Sequence, residues 1–287
     1  MTDVAAVRHY PAAVPDPAAQ VPSPFTLAGR TALVTGAGSP SGIGLATAHL
    51  LGVLGARVAL AATTERVHER AAELVHLGID AVGVVADLTD EAAARSAVEE
   101  VRTALGPIGI VVNNAGMTSQ ARPALGEVSG GTESGTVLGL APDAWRQGIA
   151  RNLDTAYLVT RAALPDMVAA RWGRVVMVTS VTGPVMAMRA EAAYAAAKAG
   201  MVGLMRAVAV DHAAHGITCN AVAPGWIATT SQTEDEAHQA LSTPVGRAGT
   251  PEEVAATIAM LCVPGAAYTT GQLVLVDGGN SIAEERA

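Results

Sequence analysis

The sequence predicts a single α/β domain of the doubly wound kind, with helices on both faces of a mostly parallel, seven-stranded sheet. From Gly29 onward, short β-branched runs alternate with longer amphipathic runs, a pattern typical of parallel strands joined by helices. Several short runs, such as Val175–Val178, are apolar throughout, as expected of strands that are buried on both faces. Half of the 287 residues are hydrophobic, which is enough to fill a large core.

The predicted strands and helices follow one another at regular intervals. We expect strands at Thr31–Thr35, Arg57–Ala61, Ala81–Ala86, Ile108–Val112, Arg174–Thr179, Thr218–Ala223 and Gln272–Val276. We expect helices at Gly42–Leu54, Arg66–Leu77, Asp90–Leu105, Pro142–Ala170, Ala192–His215 and Pro251–Cys262.

Three segments fall outside this pattern. Residues 1–26 are rich in proline and are expected to form a flexible N-terminal arm before a domain that spans residues 27–287. Residues 118–141 are rich in Gly, Ser and Thr and are predicted to be an inserted loop. Residues 225–245 follow a strand end, carry polar residues without a strong period and are predicted to be a second long loop. Because long loops in a compact domain are usually functional or mobile, we expect both loops to border a site.

Charge, cysteine content and hydropathy exclude several classes of function. The formal net charge of −8, without a long basic run, argues against a nucleic-acid partner. Cys219 and Cys262 are far apart in sequence, so we expect them to be reduced and buried, with no disulfide and no bound metal. The N-terminus lacks a secretion signal, and the most apolar run, Ala192–Val210, is interrupted by Lys198 and Arg206. We therefore expect a cytoplasmic protein that does not bind or span a membrane.

A glycine-rich turn joins the first predicted strand to the first predicted helix. It runs from Thr35 to Gly44 and has glycines at positions 36, 38, 42 and 44. Glycines let the backbone turn sharply and approach a pyrophosphate, to which the following helix N-terminus offers amide donors. The alternative is an ordinary strand–helix turn, but its position at the first such junction of an alternating chain favours dinucleotide binding.

Tyr194 and Lys198 are four residues apart in a predicted helix and therefore lie on one face of it. A nearby ammonium favours the phenolate, so we expect Lys198 to lower the pKa of Tyr194 and to make it a general acid and base. Such a pair is common by chance, but two other residues support a site. Ser180 follows a strand whose carboxyl end points at the ligand crevice, and Asn152 is a locally disfavoured residue inside a predicted helix.

Taken together, these motifs resemble those of the short-chain dehydrogenase/reductase family over roughly residues 29–279. The glycine turn is similar to the family's TGxxxGIG turn with two extra residues between Gly36 and Gly42, and residues 113–116 are similar to its NNAG motif. Asp277-Gly278-Gly279 near the end also matches. The spacing from Ser180 to Tyr194 is one residue longer than in most members. The resemblance implies a Rossmann-like fold and a nicotinamide cofactor.

The resemblance also implies a role for each residue of a catalytic tetrad. Tyr194 would exchange the proton, Lys198 would also bind the nicotinamide ribose, Ser180 would orient the substrate oxygen, and Asn152 would kink its helix and hold a relay water. Residues 225–245 would form the substrate lid. The implied cofactor contacts are Gly36, Ser39, Ser41, Gly42, Ile43, Gly44, Thr63, Thr64, Asp87, Leu88, Asn114, Ala115, Gly116, Tyr194, Lys198, Pro224, Gly225, Ile227 and Thr229.

The end of the second predicted strand indicates which cofactor is used. Ala62 stands where family members that use NAD hold Asp, and Thr63 and Thr64 can donate hydroxyls to a 2′-phosphate beside the charge of Arg66. We therefore expect NADP(H) rather than NAD(H). Two alternatives follow from the residues alone, since Thr63 and Thr64 could cap the next helix and Asp87 could cap the helix after it.

We expect an enzyme that interconverts a ketone and a secondary alcohol, with a small carbonyl or alcohol compound as its partner. A 3-oxoacyl thioester reductase is an alternative, and a nicotinamide-binding sensor without turnover is an alternative of another class. An enoyl reductase is disfavoured because that group separates its Tyr and Lys more widely. Met186, Met188 and Trp226 are expected to line the substrate pocket. The family also implies a homotetramer, or a homodimer, built from the long helices and the last strand.

Overall fold

The structure, a computed structural model, describes residues 21–116 and 133–284. Seven parallel strands form one sheet in the order β3-β2-β1-β4-β5-β6-β7. The strands are β1 (Thr31–Thr35), β2 (Arg57–Ala62), β3 (Ala81–Val85), β4 (Ile108–Asn113), β5 (Gly173–Val178), β6 (Ile217–Pro224) and β7 (Leu273–Val276). The order reverses between β1 and β4, which is where ligands bind in open sheets of this kind.

Eight helices connect or flank the strands in the described residues. They are α1 (Ile43–Val53), α2 (Arg66–His76), α3 (Glu91–Leu105), α4 (Pro142–Ile149), α5 (Thr155–Ala170), α6 (Ala192–His212), α7 (Glu234–Ala240) and α8 (Pro251–Cys262). One buried apolar layer joins α1, α2 and α8 to the sheet, and a second joins α3, α5 and α6 to its other face. The predicted single domain of the doubly wound, Rossmann-like kind is therefore confirmed.

Most predicted strand and helix bounds agree with the structure to within one residue. Residues 1–20 of the expected arm and 118–132 of the expected insertion lie outside the described residues. Cys219 and Cys262 are free and buried, as expected. The helix α7 was not predicted, because residues 225–245 show no strong hydrophobic period. A local signal was present, since Thr233 and Glu236 form a capping box, with side-chain and backbone hydrogen bonds in both directions.

The helix predicted at Pro142–Ala170 is interrupted by a π-helical turn at Ala150–Asp154. Two side chains donate hydrogen bonds to backbone carbonyl oxygens at this point. The amide of Asn152 donates to the carbonyl of Gly148 at 3.1 Å, and the hydroxyl of Thr155 donates to the carbonyl of Arg151 at 3.0 Å. Side-chain hydrogen bonds of this kind compete with the regular helical ladder, and π turns often occur at functional sites.

The helix α6 and the 3-10 turn after it, Ala192–His215, are long and apolar enough to span a membrane by length and composition. The same test is met by core helices, and α6 packs here against β6, α4 and the π-helical turn. Its side chains at Ala193, Lys198, Met201 and Met205 are buried in the protein.

Candidate active site

A cleft of about 970 Å³ runs along the carboxyl ends of the strands. It is bordered by the residues that follow β1, β2, β3, β4, β5 and β6, and it is covered in part by residues 225–239. Its size is at the upper end of the range for small-molecule sites, which is large enough for a dinucleotide and a second small molecule. Among the described residues, no group of His, Cys, Asp and Glu forms a candidate metal site.

The glycine-rich turn lies against the NNAG segment so closely that side chains are excluded. A Cβ on Gly36, where φ is +68°, would lie 2.8 Å from the Cα of Ala115. A Cβ on Gly44 would lie 2.8 Å from the side-chain amide of Asn114 and from the carbonyl oxygen of Gly36. Gly42 caps α1 without any side-chain hydrogen bond to the first amides of the helix. The backbone of this turn is therefore open to a ligand, as phosphate binding requires.

Asn114 and Thr35 hold these two segments together. The hydroxyl of Thr35 accepts hydrogen bonds from the amides of Asn114 and Ala115 at 3.0 and 2.9 Å. The side-chain amide of Asn114 donates to the carbonyls of Thr35 and Gly36 at 2.9 and 3.1 Å. Asn114, Ala115 and Gly116 all border the cleft, so their polar groups are fixed beside it.

Thr63, Thr64 and Arg66 line the cleft at the end of β2. The helix α2 begins after Glu65, which makes no side-chain capping hydrogen bond, so the capping alternative for Thr63 and Thr64 is wrong. Arg66 instead donates to the hydroxyl of Thr64 at 3.4 Å. The carboxylate of Glu65 lies 3.3 Å from His68. Two hydroxyls and one guanidinium are therefore available to an anionic group here.

Asp87 and Leu88 border the cleft after β3. The side chain of Asp87 accepts hydrogen bonds from the amide and the hydroxyl of Thr89, at 3.0 and 2.7 Å. The helix α3 is capped by Asp90, whose side chain accepts from the amide of Ala93. The capping alternative for Asp87 is therefore also wrong, and Asp87 shapes the turn at the cleft.

Ser180, Tyr194 and Lys198 meet at the end of the cleft near β5. The side chain of Ser180 lies beside that of Tyr194, whose pKa it lowers, and the ammonium of Lys198 lies 5.6 Å from the centre of the Tyr194 ring. The Ser180 oxygen also accepts from the amide of Thr182 at 3.1 Å. Lys198 is buried, and its Nζ donates to the carbonyl oxygen of Val178 at 3.1 Å.

Burial controls the pKa values of this group. It raises the pKa of Tyr194 to about 12, while the hydrogen bond from Ser180 lowers it and the carboxylates of Glu191 and Glu236 raise it further. Burial lowers the pKa of Lys198 to about 8. The expectation that Lys198 lowers the pKa of Tyr194 is therefore wrong for this structure. Burial disfavours the charged form of both groups, the phenolate of Tyr194 and the ammonium of Lys198.

Asn152 is buried in the π-helical turn next to Lys198 and Gly116. A Cβ on Gly116 would lie 2.5 Å from the Oδ1 of Asn152 and 3.2 Å from the Nζ of Lys198. Gly116, where φ is +137°, thus lets the NNAG segment contact both side chains. The structure brings the four predicted tetrad residues to one end of the cleft, with Asn152 behind its wall.

The segment after β6 begins where Pro224 and Gly225 border the cleft. A Cβ on Gly225 would lie 2.8 Å from the Cβ of Asp277, which explains why a glycine stands there. Ile227 and Thr229 also line the cleft, and the hydroxyl of Thr229 pairs with that of Ser231 at 2.9 Å. This segment therefore covers the part of the cleft beside Tyr194.

Three predicted site residues do not border the cleft. Gly44 packs behind the glycine turn, Asn152 lies behind the cleft wall, and the hydroxyl of Ser41 is buried without a hydrogen-bond partner among residues 21–116 and 133–284. Met186, Met188 and Trp226 border it as expected. Further residues that line the cleft were not predicted as contacts, among them Gly38, Thr89, Arg151, Thr155, Gln232, Glu236, Gln239 and Asn280. Of these, Gly38 and Glu236 carried a local signal, in the glycine turn and the capping box.

Comparisons with known proteins agree with this geometry. Residues 36–281 match a family model described as enoyl-(acyl carrier protein) reductase. The 3-oxoacyl-[acyl-carrier-protein] reductase FabG of Pseudomonas aeruginosa is 38% identical over 260 residues, which cover 89% of this chain and 98% of that protein. The alignment covers nearly all of both proteins, so the similarity extends over the whole fold.

Two solved structures have the same fold. A protein from Agrobacterium tumefaciens described as a gluconate dehydrogenase gives a TM-score of 0.81 at 31% identity, covering 91% of this chain and 99% of that one. A protein from Beutenbergia cavernae, described as an NAD(P)-dependent gluconate 5-dehydrogenase and solved with NADP at low occupancy, gives 0.79 at 37% identity, covering 89% and 98%. The chain therefore belongs to the short-chain dehydrogenase/reductase family of NAD(P)-dependent oxidoreductases.

Proposed function

We propose that this protein is an NADP(H)-dependent reductase of a small ketone, or a dehydrogenase of the corresponding secondary alcohol. The observation that carries the proposal is the contact of Tyr194 with Ser180 next to the buried Lys198, at one end of a cleft long enough for a dinucleotide. Bound there, the nicotinamide supplies the hydride in reduction and accepts it in oxidation.

In the proposed mechanism, Tyr194 and Ser180 both hydrogen-bond to the substrate oxygen. As the carbonyl carbon is reduced, the oxygen gains negative charge, and the Tyr194 hydroxyl donates its proton to that oxygen. The ammonium of Lys198 stabilises the phenolate that remains, and Ser180 holds the oxygen in line. Asn152 keeps the turn beside Lys198 open through its hydrogen bond to Gly148.

The pKa values of the site favour the reductive direction near neutral pH. Tyr194, with a pKa of about 12, is protonated there and is ready to act as an acid. Lys198, with a pKa of about 8, still carries most of its charge. Oxidation requires Tyr194 to be the base, and the phenolate is scarce at neutral pH, so we expect that direction to need alkaline conditions.

We propose that NADP(H) is preferred to NAD(H). Thr63, Thr64 and Arg66 border the cleft at the end of β2, and the position of Ala62 carries no carboxylate that would repel a 2′-phosphate. Glu65 is the nearest carboxylate in sequence, but its side chain is exposed and contacts His68. A guanidinium next to two hydroxyls suits a phosphate dianion.

The charge near Tyr194 favours a neutral ketone over a 3-oxoacyl thioester carried on phosphopantetheine. Residues 225–245 contain Glu234, Asp235 and Glu236 but no Lys or Arg, and Glu236 borders the cleft. A phosphate-bearing carrier that approaches past this segment would meet like charges. The enoyl reductase alternative is disfavoured by the four-residue separation of Tyr194 and Lys198.

The experiment that tests the proposal measures NADPH consumption with neutral ketones and with 3-oxoacyl-CoA thioesters. We expect kcat/KM to be at least about tenfold higher for the best ketone, and thioesters to gain when Glu236→Gln removes the lid charge, since Gln can still complete the capping box. The matched control is Glu234→Gln on the same helix. A preference for the thioester would favour the alternative substrate class, and NADPH binding without turnover on any substrate would favour the sensor.

We further propose a cytoplasmic homotetramer, with a homodimer as the alternative. Apolar side chains are exposed on the helices and edge strand that would meet, namely Tyr157 on α5, Val210 on α6 and Leu275 on β7. Exposed apolar surface of this kind is often an interface. Light scattering in solution tests the assembly, and a strictly monomeric protein would contradict it.

A further inference from the structure

Arg151 stands immediately before Asn152 in the π-helical turn and is 6% exposed, yet it borders the cleft. Thr155, one turn further along, borders the cleft as well. A buried guanidinium is costly unless its charge and its N–H groups are satisfied. The partners of the Arg151 guanidinium therefore show whether its role is structural or whether it can bind a ligand in the cleft.

Its single charged partner in the described residues is Glu133. The Nη2 of Arg151 lies 2.8 Å from the Oε1 of Glu133, and the two side chains are 7% and 5% exposed. The pair is nevertheless poorly aligned, because Nε, Nη1 and Nη2 of Arg151 find no hydrogen-bond acceptor within residues 21–116 and 133–284. The ion pair balances the charge but leaves the planar fork of donors unused.

Arg174 shows what a purely structural buried arginine looks like in the same fold. Its Nε donates to the carbonyl of Val263, its Nη1 donates to the carbonyls of Gly173 and Gly216, and its guanidinium lies 4.7 Å from the centre of the Trp172 ring. Arg174 thus satisfies its donors within the protein. Arg151 differs in bordering the cleft and in having donors that find no acceptor in the part of the chain that the structure describes.

The location of Arg151 indicates the kind of ligand. The glycine-rich turn and α1 lie on one face of the sheet, whereas the turn that carries Arg151 leads into α5 on the other face. Both border the cleft, which lies at the carboxyl edge of a sheet whose strand order reverses between β1 and β4. A dinucleotide that follows this cleft has its phosphates and ribose hydroxyls between the two, and both are acceptors suited to a guanidinium.

We propose that Arg151 binds the ribose–phosphate backbone of the dinucleotide from the face opposite the glycine-rich turn, and that Glu133 weakens this contact by competing for the guanidinium. The inference rests on the proposed function, because it takes the cleft to be a dinucleotide site. It adds a cofactor-binding residue that the glycine turn and the tetrad do not include. Because Glu133 belongs to the predicted insertion 118–141, the proposal also implies that this insertion influences cofactor affinity.

Binding titrations of NADPH and of ADP-ribose, followed by fluorescence and calorimetry at low and high salt, test this contact. We expect Arg151→Met to weaken both ligands about ten- to a hundredfold, as loss of a charge-assisted hydrogen bond would, and to reduce the salt dependence of binding. We expect Glu133→Gln to leave binding unchanged or to tighten it. Arg146→Met is the matched control, since Arg146 forms an exposed ion pair with Asp143 on the adjacent helix.

Binding of both ligands by Arg151→Met within twofold of the wild type would overturn the proposal, as would equal weakening by Glu133→Gln, which indicates a structural pair only. If Arg151→Met does not fold, the double variant Glu133→Gln/Arg151→Met removes both buried charges and should show the same weakening. Failure of the wild-type protein to bind NADPH would contradict the proposed function itself, which distinguishes the two failures.

Discussion

The hydroxyls of Ser39 and Thr230 lie 3.0 Å apart and join the glycine-rich turn to the segment that follows β6. Ser39 belongs to the stretch where this turn has two more residues than the family pattern, and both residues border the cleft. The lengthened turn therefore contacts the predicted substrate lid directly. This contact connects the proposed phosphate site at the glycine-rich turn to the proposed cover of the substrate site.

We predict that Ser39→Ala speeds the release of NADPH about two- to tenfold, the effect expected for one exposed hydrogen bond of about 0.5–1.5 kcal/mol. The rate of dissociation in a stopped-flow displacement experiment is the measurement. Thr230→Ala should give a similar effect, and the double variant should add little, because both remove the same bond. The exposed Ser96→Ala on α3 serves as control, and additive effects of Ser39→Ala and Thr230→Ala would contradict this account.

Gly36 and Gly78 allow two reasons for a glycine to be tested separately, namely a positive φ and a lack of space for a Cβ. Both have positive φ, at +68° and +83°, but a Cβ would collide with the backbone of Ala115 only at Gly36 and would meet nothing within 4 Å at Gly78. We predict that Gly78→Ala lowers the free energy of unfolding by about 1–2 kcal/mol without affecting NADPH affinity. Gly36→Ala should lower stability more and weaken NADPH binding at least about tenfold. Equal effects of the two on binding would argue against close approach at the turn.

Ala62→Asp tests the cofactor preference. A carboxylate at the end of β2 should repel a 2′-phosphate and accept hydrogen bonds from a ribose, so we predict at least about a tenfold loss of NADPH affinity and a gain for NADH. The ratio of the two dissociation constants is the measurement. Glu65→Gln is the control, because that carboxylate contacts His68 and should leave the ratio unchanged. A variant that still prefers NADPH by the wild-type ratio would contradict the assignment.

The pKa values of Tyr194 and Lys198 predict opposite pH profiles for the two directions. Lys198 is charged below its pKa of about 8 and neutral above it, so we expect kcat for reduction to fall as pH rises through about 8. Tyr194 becomes a base only as pH approaches its pKa of about 12, so kcat for oxidation should rise over the same alkaline range. Steady-state profiles in both directions check this. A reduction rate that stays constant up to about pH 10, near the pKa of an unperturbed lysine, would be inconsistent with a role for the Lys198 charge.

Much of the fold follows from the sequence because periodicity and turn residues are local signals. The strand Thr31–Thr35 and the helix Pro251–Cys262 have the predicted bounds. The helix α7 was missed because seven residues give no clear period, although the Thr233–Glu236 capping box marks its start. The break at Ala150–Asp154 was predicted only as a kink at Asn152, which the family resemblance implies. Its structural basis is a pair of side-chain hydrogen bonds that periodicity does not report.

The site was predictable where chemistry depends on residue type and spacing, as for Tyr194 and Lys198. It was not predictable where chemistry depends on burial. The pKa of Tyr194 follows from its surroundings in three dimensions, including its burial and the carboxylate of Glu236, which belongs to the unpredicted helix α7. Arg151 was missed for the same reason, since a lone arginine in a helix is usually solvated.

The most direct test of the account is the turnover of Tyr194→Phe with NADPH and the best ketone substrate. The account predicts a loss in kcat of at least about a hundredfold, as expected for removal of a general acid, with the dissociation constant of NADPH within about threefold of the wild type. Tyr268→Phe, at a fully exposed position in the turn between α8 and β7, should have normal kcat and controls for loss of a phenol elsewhere. A Tyr194→Phe variant with near-normal kcat would contradict the central claim that Tyr194 exchanges the proton.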